Sequence, residues 1–368
     1  SGSFDDTIRL WSLTDPEAAP KTLQDHQDWV NTVAISPKGD WLASGGDDDI
    51  IHLWSTADTT ADPISLQGHK DRVNALAFSP DGSWLASGGG SSAALDNTIR
   101  LWSLTNLKAD SIYLKGHQGR VNALAFSPDG DWLASGSGDD TIRIWSMVDP
   151  PAGSVQLLNQ QAGINTVVFS PDGDWLASGG DDSIFRLWDV EDPTATPIQL
   201  QGHQDVVNAL AFSPDGSSLA SGSVDHTVLL WSLDDLGADP IALQGHQDWV
   251  NALAFSPDGN WLASGGGSFT DPDNAIRLRS LADPEAKPIL LTGHQAAITS
   301  LVYSPDGNRL ASSSGDATIR LWVFLDELVE VGCNLVWRNL TLAEWEQYLP
   351  GESYQQTCPN LPLQNSSQ

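Results

Sequence analysis

Val207-Asn208-Ala209-Leu210-Ala211-Phe212, Pro214-Asp215-Gly216, Ser218-Leu219-Ala220-Ser221-Gly222, Thr227-Val228-Leu229-Leu230-Trp231 and Pro240-Ile241-Ala242-Leu243 follow one another in a single stretch of chain. The first segment is apolar on both alternating faces, as a strand buried on both sides requires. Pro-Asp-Gly is turn chemistry, in which proline presets φ and glycine takes the positive φ of a tight hairpin. The next two segments read as a second short strand and a third that ends on a large aromatic. The last opens on a proline, which suits an edge strand. The same unit recurs, marked by Ser36-Pro37-Lys38-Gly39 and by Ser-Pro-Asp-Gly at Ser79, Ser127, Ser170, Ser213, Ser256 and Ser304. The spacing is 43 residues, or 48 where five residues are inserted. Four short strands per unit, no helix and seven units predict an all-β, seven-bladed β-propeller of four-stranded antiparallel blades.

Composition narrows the partners. The 368 residues carry 48 acidic and 17 basic side chains, a formal charge of −31. Such a surface repels nucleic acid and anionic membrane, and suits a basic partner or one that docks on an apolar island. No stretch approaches the roughly 20 apolar residues of a membrane span. The two cysteines, Cys333 and Cys358, lie outside the repeats, which excludes a disulfide-built scaffold. They meet in the tail either as reduced packing residues or as a disulfide. The chain opens within a repeat, so further domains of the same polypeptide are expected upstream, and a cytoplasmic location is expected for the whole.

In register, the units resemble the WD-repeat family over about residues 1 to 322. Gly-His opens the unit at His69, His117, His203, His246 and His294, with His26 following Asp25 instead. An Asp precedes the third strand throughout: Asp5, Asp48, Asp96, Asp139, Asp182, Asp225, Asp273 and Asp316. The third strand ends on Trp11, Trp54, Trp102, Trp145, Trp188, Trp231 and Trp322. The resemblance implies a hydrogen-bonded tetrad in each blade: His26/Ser44/Asp48/Trp54, His69/Ser87/Asp96/Trp102, His117/Ser135/Asp139/Trp145, His203/Ser221/Asp225/Trp231 and His294/Ser312/Asp316/Trp322. Gln160 stands where the fourth unit's His belongs, and Arg279 where the sixth unit's Trp belongs. Those two blades are expected to be locally less rigid. Equivalent copies of one Ser/His/Asp set speak for a structural latch and against an enzyme, which needs one asymmetric site. No His pair or Cys–His cluster has ligand spacing, so neither a metal site nor a cofactor is expected.

Function in a repeat protein is sought where the copies diverge. The innermost strand begins with Asn31, Asn74, Asn122, Asn165, Asn208, Asn251 and Thr299, positions that the resemblance puts at the rim of a central channel. Near-identity points to backbone capping, with an ion or small-ligand sensor in the channel as the alternative. Two residues earlier the series reads Trp29, Arg72, Arg120, Gly163, Val206, Trp249 and Ala297. If the ring closes, Trp249, Ala297, Trp29, Arg72 and Arg120 form an arc on the top face. Trp and Arg are the types that most often carry interface energy, and paired Arg reads carboxylates. The arc either docks a protein or peptide or merely covers the rim. Insertions near 90–94 and 267–271, the second with Phe269, lengthen a loop that the resemblance puts on that same face, either as lips around the docking surface or as tolerated loop growth. The remaining tryptophans, Trp41, Trp84, Trp132, Trp175 and Trp261, are expected to pack between blades.

Three segments follow: 1–16 as a partial strand of an upstream repeat, 17–322 as the propeller, and 323–368 as a short, mostly helical C-terminal tail. Thr341-Leu342-Ala343-Glu344 is a capping box within that tail. The stretch Arg338 through Trp345, with Tyr348 and Thr357 to Pro362, resembles the tail of large cyanobacterial WD-repeat proteins; Trp337, Trp345, Tyr348 and Tyr354 are too apolar for a free tail, so docking on the propeller is expected. The resemblance implies the recognition part of a larger signalling or effector protein. Seven blades close if the strand near Lys21-Thr22-Leu23 joins the last unit. Residues 1–16 are then surplus, or compete with Thr318–Trp322 for one slot.

Overall fold

Each Ser-Pro-Asp-Gly turn is a small hydrogen-bonded machine that forces two strands back on themselves. In blade two Ser79 donates its hydroxyl to Asp81 and accepts the Trp84 amide, while Gly82 donates to the Ser79 carbonyl at φ 74°. Bonds from Ser79 and Ser83 hold the Asp81 carboxyl down to about 2. Blade one has Lys38 instead, and there Asp40 accepts from Ser36 at 2.6 Å. The turn therefore survives the substitution because a carboxylate two residues on reaches the same hydroxyl.

The structure, a computed structural model, describes residues 6–10, 21–58, 60–91, 96–150, 153–157, 162–268, 273–316 and 318–323. It is a seven-bladed β-propeller. The blades occupy residues 30–67, 73–114, 121–157, 164–201, 207–243, 250–291 and 298–323, each an antiparallel sheet in sequence order. The first six have four strands. The seventh has three: Ile298–Tyr303, Arg309–Ser314 and Ile319–Val323. No helix occurs among the described residues. The predicted tail helices, Cys333 and Cys358 lie outside them, as do Asp5, Trp11, Gln160 and Phe269.

Every blade carries a bulge at the start of its innermost strand. In blade five Val207 pairs with Ser223 and Ala209 with Gly222, leaving Asn208 as the extra residue. A bulge leaves one residue unpaired and re-aims its side chain. The bulged residue is the Asn of the series in six blades and Thr299 in the seventh. The core lies between neighbouring sheets. Ala86, Ile99, Leu101 and Leu114 of blade two pack with Val121, Leu133 and Trp145 of blade three, each at most 2% exposed. Burying one such side chain contributes about 1.5–3 kcal/mol. Trp41, Trp84, Trp132, Trp175 and Trp261 pack, partly buried, against these inter-blade clusters.

The strand Lys21–Gln24 does not join blade seven. It pairs with Thr7–Leu10, with Ile8 opposite Leu23 and Arg9 opposite Thr22. This hairpin packs Ile8 and Leu23 against Val30, Leu42 and Trp54 of blade one. The innermost strands pack side by side in sequence order from blade one to blade seven, whereas Ile298–Tyr303 and Val30–Ile35 do not pack in this way. Accordingly Ile35 and Val302 are 63% and 59% exposed. The outer edge of Ile319–Val323 has no strand beside it among the described residues.

Candidate functional site

The tetrad residues come together through register. Ser221 sits on the second strand directly opposite Leu229, and Trp231 two residues on points its indole back across the sheet. Trp231 Nε1 donates to Ser221 Oγ at 2.9 Å, and Ser221 Oγ lies 2.8 Å from His203 Nε2. His203 Nδ1 is 2.9 Å from Asp225. Burial by itself raises the Asp225 carboxyl, but bonds from Thr227 and the Gln204 amide hold it below its ordinary value. An ionised carboxylate only accepts, so His203 carries its proton on Nδ1 and its Nε2 lone pair accepts from Ser221. The relay therefore runs one way, from indole to hydroxyl to imidazole to carboxylate. Burial keeps His203 neutral by pushing its pKa down.

The same bonds join His26, Ser44, Asp48 and Trp54; His69, Ser87, Asp96 and Trp102; His117, Ser135, Asp139 and Trp145; and His294, Ser312, Asp316 and Trp322. Blade six, which sequence reasoning left out, brings His246, Ser264 and Asp273 together as well. There Arg279 is buried and donates to the carbonyls of Gln244, Pro284 and Ala286. Arg277 adds its Nη1 within 3.0 Å of His246 Nδ1 and 2.8 Å of Asp273. In blade four Trp188 still donates to Ser178, and Arg186 bonds Asp182 at 2.6 Å.

The bulged Asn amides are largely occupied. Asn122 donates to the Ile164 carbonyl of the next blade, and Asn208 to Asn251 Oδ1. Asn74 and Asn251 donate to Gly90 and Gly267, and Asn31 and Asn165 to Asp47 and Asp181. Thr299 bonds within its own blade, to Ser313 at 2.8 Å. A cavity of about 210 Å³ is lined by Asn208, Asn251 and Thr299 with the residues that follow them and Thr166.

The divergent series lies on the same rim. Trp29 and Trp249 are 49% and 39% exposed. Arg72 and Arg120 line one cavity of about 330 Å³ with Asn74, Gly90, Ser91, Asn122 and Asn165. Arg72 is half-exposed and 3.4 Å from Asp47, and Arg120 makes no ion pair with any described residue. Each insertion is rooted beside a divergent residue. Asp71 accepts from the amide and hydroxyl of Ser91, and Asp248 from those of Ser268. Those two carboxylates also accept the amides of Arg72 and Trp249. Asp71 and Asp248 escaped sequence reasoning, although both precede a divergent residue in the two units with insertions. The structure thus joins Arg72 to Arg120, and each insertion to its neighbour. The step from Trp249 to Trp29 crosses the unpacked seam.

Residues 19–55, 63–103, 110–146, 154–189, 194–232, 240–278 and 287–323 each match the family model described as WD domain, G-beta repeat. Among curated proteins, the Nuclear distribution protein PAC1 of Coccidioides posadasii (strain C735) is 51% identical over 47 residues, 13% of this chain and 10% of that protein. The Small ribosomal subunit protein RACK1y of Oryza sativa subsp. japonica is 46% identical over 46 residues, 12% of this chain and 13% of that protein. The similarity spans about a tenth of each relative, one repeat's worth of sequence.

Proposed function

Because the chain belongs to the WD domain, G-beta repeat family, whose propellers are typically protein-interaction scaffolds, we propose that it is a non-catalytic recognition module that docks a protein or peptide on its top rim. The observation that carries this reading is the cavity holding Arg72 and Arg120, with Trp29 exposed nearby. Two guanidinium groups on a chain of charge −31 favour a carboxylate in the partner, and a fork-shaped guanidinium holds it bidentately. Trp29 and Trp249 add apolar anchors of the kind that dominates interface energy. The insertions rooted at Asp71 and Asp248 act as lips beside those anchors.

In this reading the propeller is the recognition part of a larger cytoplasmic signalling or effector polypeptide of cyanobacterial type, with the tail 323–368 docked against it. No helix among the described residues is long and apolar enough to cross a membrane. A channel sensor for small ligands is the weaker reading, since the Asn amides are committed to protein acceptors. The test is selection from a displayed random-peptide library on the wild-type chain and on Arg72→Ala/Arg120→Ala. The wild type should enrich Asp- or Glu-containing peptides with a neighbouring apolar residue. The double variant should lose that preference with its melting temperature nearly unchanged, and Trp29→Ala should weaken the survivors. Equal enrichment on both proteins refutes the reading.

A further inference from the structure

Blade one departs from its sisters at two linked positions. Opposite the tetrad Ser, on the third strand, the other blades have Arg100, Arg143, Arg186, Leu229, Arg277 and Arg320; blade one has His52. Immediately before the tetrad His, the Arg-bearing blades two, three, six and seven have glycine, and blade one has Asp25. In three of those blades the two positions crowd each other, although blade four combines Arg186 with Asn159. A Cβ on Gly68, Gly116 or Gly293 would come within 2.5–2.7 Å of Arg100, Arg143 or Arg320. A shorter imidazole at 52 makes room for a carboxylate at 25.

The exchange changes what faces the tetrad. In blade six Arg277 supplies a positive charge 2.8 Å from Asp273 and 3.0 Å from His246 Nδ1. In blade one His52 is only 2% exposed and its ring lies 4.5 Å, edge to face, from that of His26. Nδ1 of His52 lies 3.4 Å from Asp25 and 3.2 Å from the Ser65 hydroxyl. Its Nε2 is buried and has no hydrogen-bond partner among the described residues. A buried polar atom of that kind calls for a ligand or a water. His26, Asp48 and His52 each offer a donor atom, all within 4.8 Å of one another.

We propose that His26, Asp48 and His52 form a binding site for one borderline divalent transition-metal ion of the Zn²⁺, Co²⁺ or Ni²⁺ class. Two imidazoles and one carboxylate are a donor set that selects these ions over Ca²⁺ and Mg²⁺. Asp25 orients His52 through Nδ1, the outer carboxylate that metal-bound histidines ordinarily have. Charge balances too: Asp48 and Asp25 neutralise the dication, as Asp273 and the Arg277 guanidinium neutralise each other in blade six. Metal–donor bonds of about 2.1 Å span about 4.2 Å at most, so a small rotation of the rings closes the site; the metal would replace the hydrogen bond from His26 Nδ1 to Asp48, and the Nδ1 proton would move to Nε2, which then donates to Ser44 Oγ. Binding would tie the start of blade one to its third strand.

The experiment is zinc titration of the full chain against a chromogenic chelator, in excess Mg²⁺ to saturate surface carboxylates. One equivalent should bind at least tenfold tighter than any further zinc. Asp25→Gly/His52→Arg rebuilds the glycine–arginine pair of the sister blades and should lose that equivalent, as should His52→Gln. Zinc K-edge absorption of the loaded wild type should show two imidazoles. The proposal is overturned by unchanged tight binding in a folded variant, by the lack of a distinct tight equivalent, or by absorption without imidazole scattering.

Discussion

Ser221→Ala in blade five tests the directional relay. The side chain is fully buried, and its loss leaves the Trp231 indole N–H and the His203 Nε2 lone pair without partners. Alanine retains the methylene, so little cavity forms. Each buried polar group orphaned in this way costs about 1–3 kcal/mol. Two such groups, with partial relaxation, predict a loss of about 3 kcal/mol, a sizeable share of the roughly 5–15 kcal/mol that stabilises a domain. Urea unfolding reads the total, and amide exchange at Leu219 and Trp231 reads where it falls. Removing the indole N–H first, with Trp231→Phe, should shrink the cost of Ser221→Ala by about 1–2 kcal/mol, because one of the two orphans is already gone. The exposed Ser232→Ala should stay within about 0.5 kcal/mol of wild type. A Ser221→Ala loss below about 0.5 kcal/mol, or additive behaviour in the cycle, would mean that the hydroxyl fills space and relays nothing.

Stability should fall in two steps on acidification. Burial depresses His52, His203 and His246 below 6.5, so their contribution is complete above that pH and declines as pH drops below it, when the unfolded chain takes up protons first. The tetrad carboxylates Asp48, Asp96, Asp139, Asp225, Asp273 and Asp316 are also depressed, and add a second loss below about pH 4. Urea midpoints measured from pH 8 to pH 3 check both windows, and a flat profile between pH 7 and pH 5 contradicts the first. Gly136→Ala should cost about 1–3 kcal/mol by overpacking, since its Cβ would lie 2.5 Å from the Ile164 methyl of blade four. A thermal-unfolding shift near zero would show that the two sheets part readily. Deleting residues 1–16 should let Lys21–Gln24 pair with Ile319–Val323, raising amide protection in that strand, and unchanged exchange there counts against it.

Much of the fold was readable because each blade repeats its own evidence of need. The apolar strand, the Pro-Asp-Gly turn and the Trp-terminated third strand recur in register, so any one ambiguous copy is corrected by the others. The tetrads were readable for the same reason, since Ser, His, Asp and Trp keep fixed offsets. What escaped was paired variation. His52 alone looks like a strand residue, and Asp25 alone looks like a lost glycine. Only the third dimension shows that the Arg and the turn glycine crowd each other in blades two, three and seven, where blade one has His52 and Asp25 instead. Arg277 and Arg279 were obscured likewise. Read singly, Arg279 is a missing Trp; in space it holds three carbonyls together, so blade six replaces one anchor with another.

The seam follows the same logic of paired positions. In six blades the residue after the tetrad Ser is glycine: Gly45, Gly88, Gly136, Gly179, Gly222 and Gly265. A Cβ at any of them would lie 2.5–2.8 Å from a methyl of the next blade's first Val or Ile. Blade seven has Ser313 there, whose hydroxyl meets Thr299 within the blade. Glycine is therefore kept where a following blade presses on it and relaxed where none does. Thr299 likewise replaces the bulged Asn at the rim position with no following blade packed on it. The pentapeptide Thr-Ile-Arg-Leu-Trp occurs at 7–11, 98–102 and 318–322, and of the last two only the copy at 318–322 lacks an outer strand among the described residues. The pairing of Ile8 with Leu23 is thus chemically available to Ile319 as well. What favours the first partner is proximity along the chain, since closing a short loop costs less entropy than bringing the far end of the chain round to the same strand. Contacts at a closed seam would have to outweigh that difference, and Ser313 with its extra Cβ opposes them. Identity of sequence makes the two strands rivals, while loop length and one glycine-to-serine exchange decide which of them holds Lys21–Gln24.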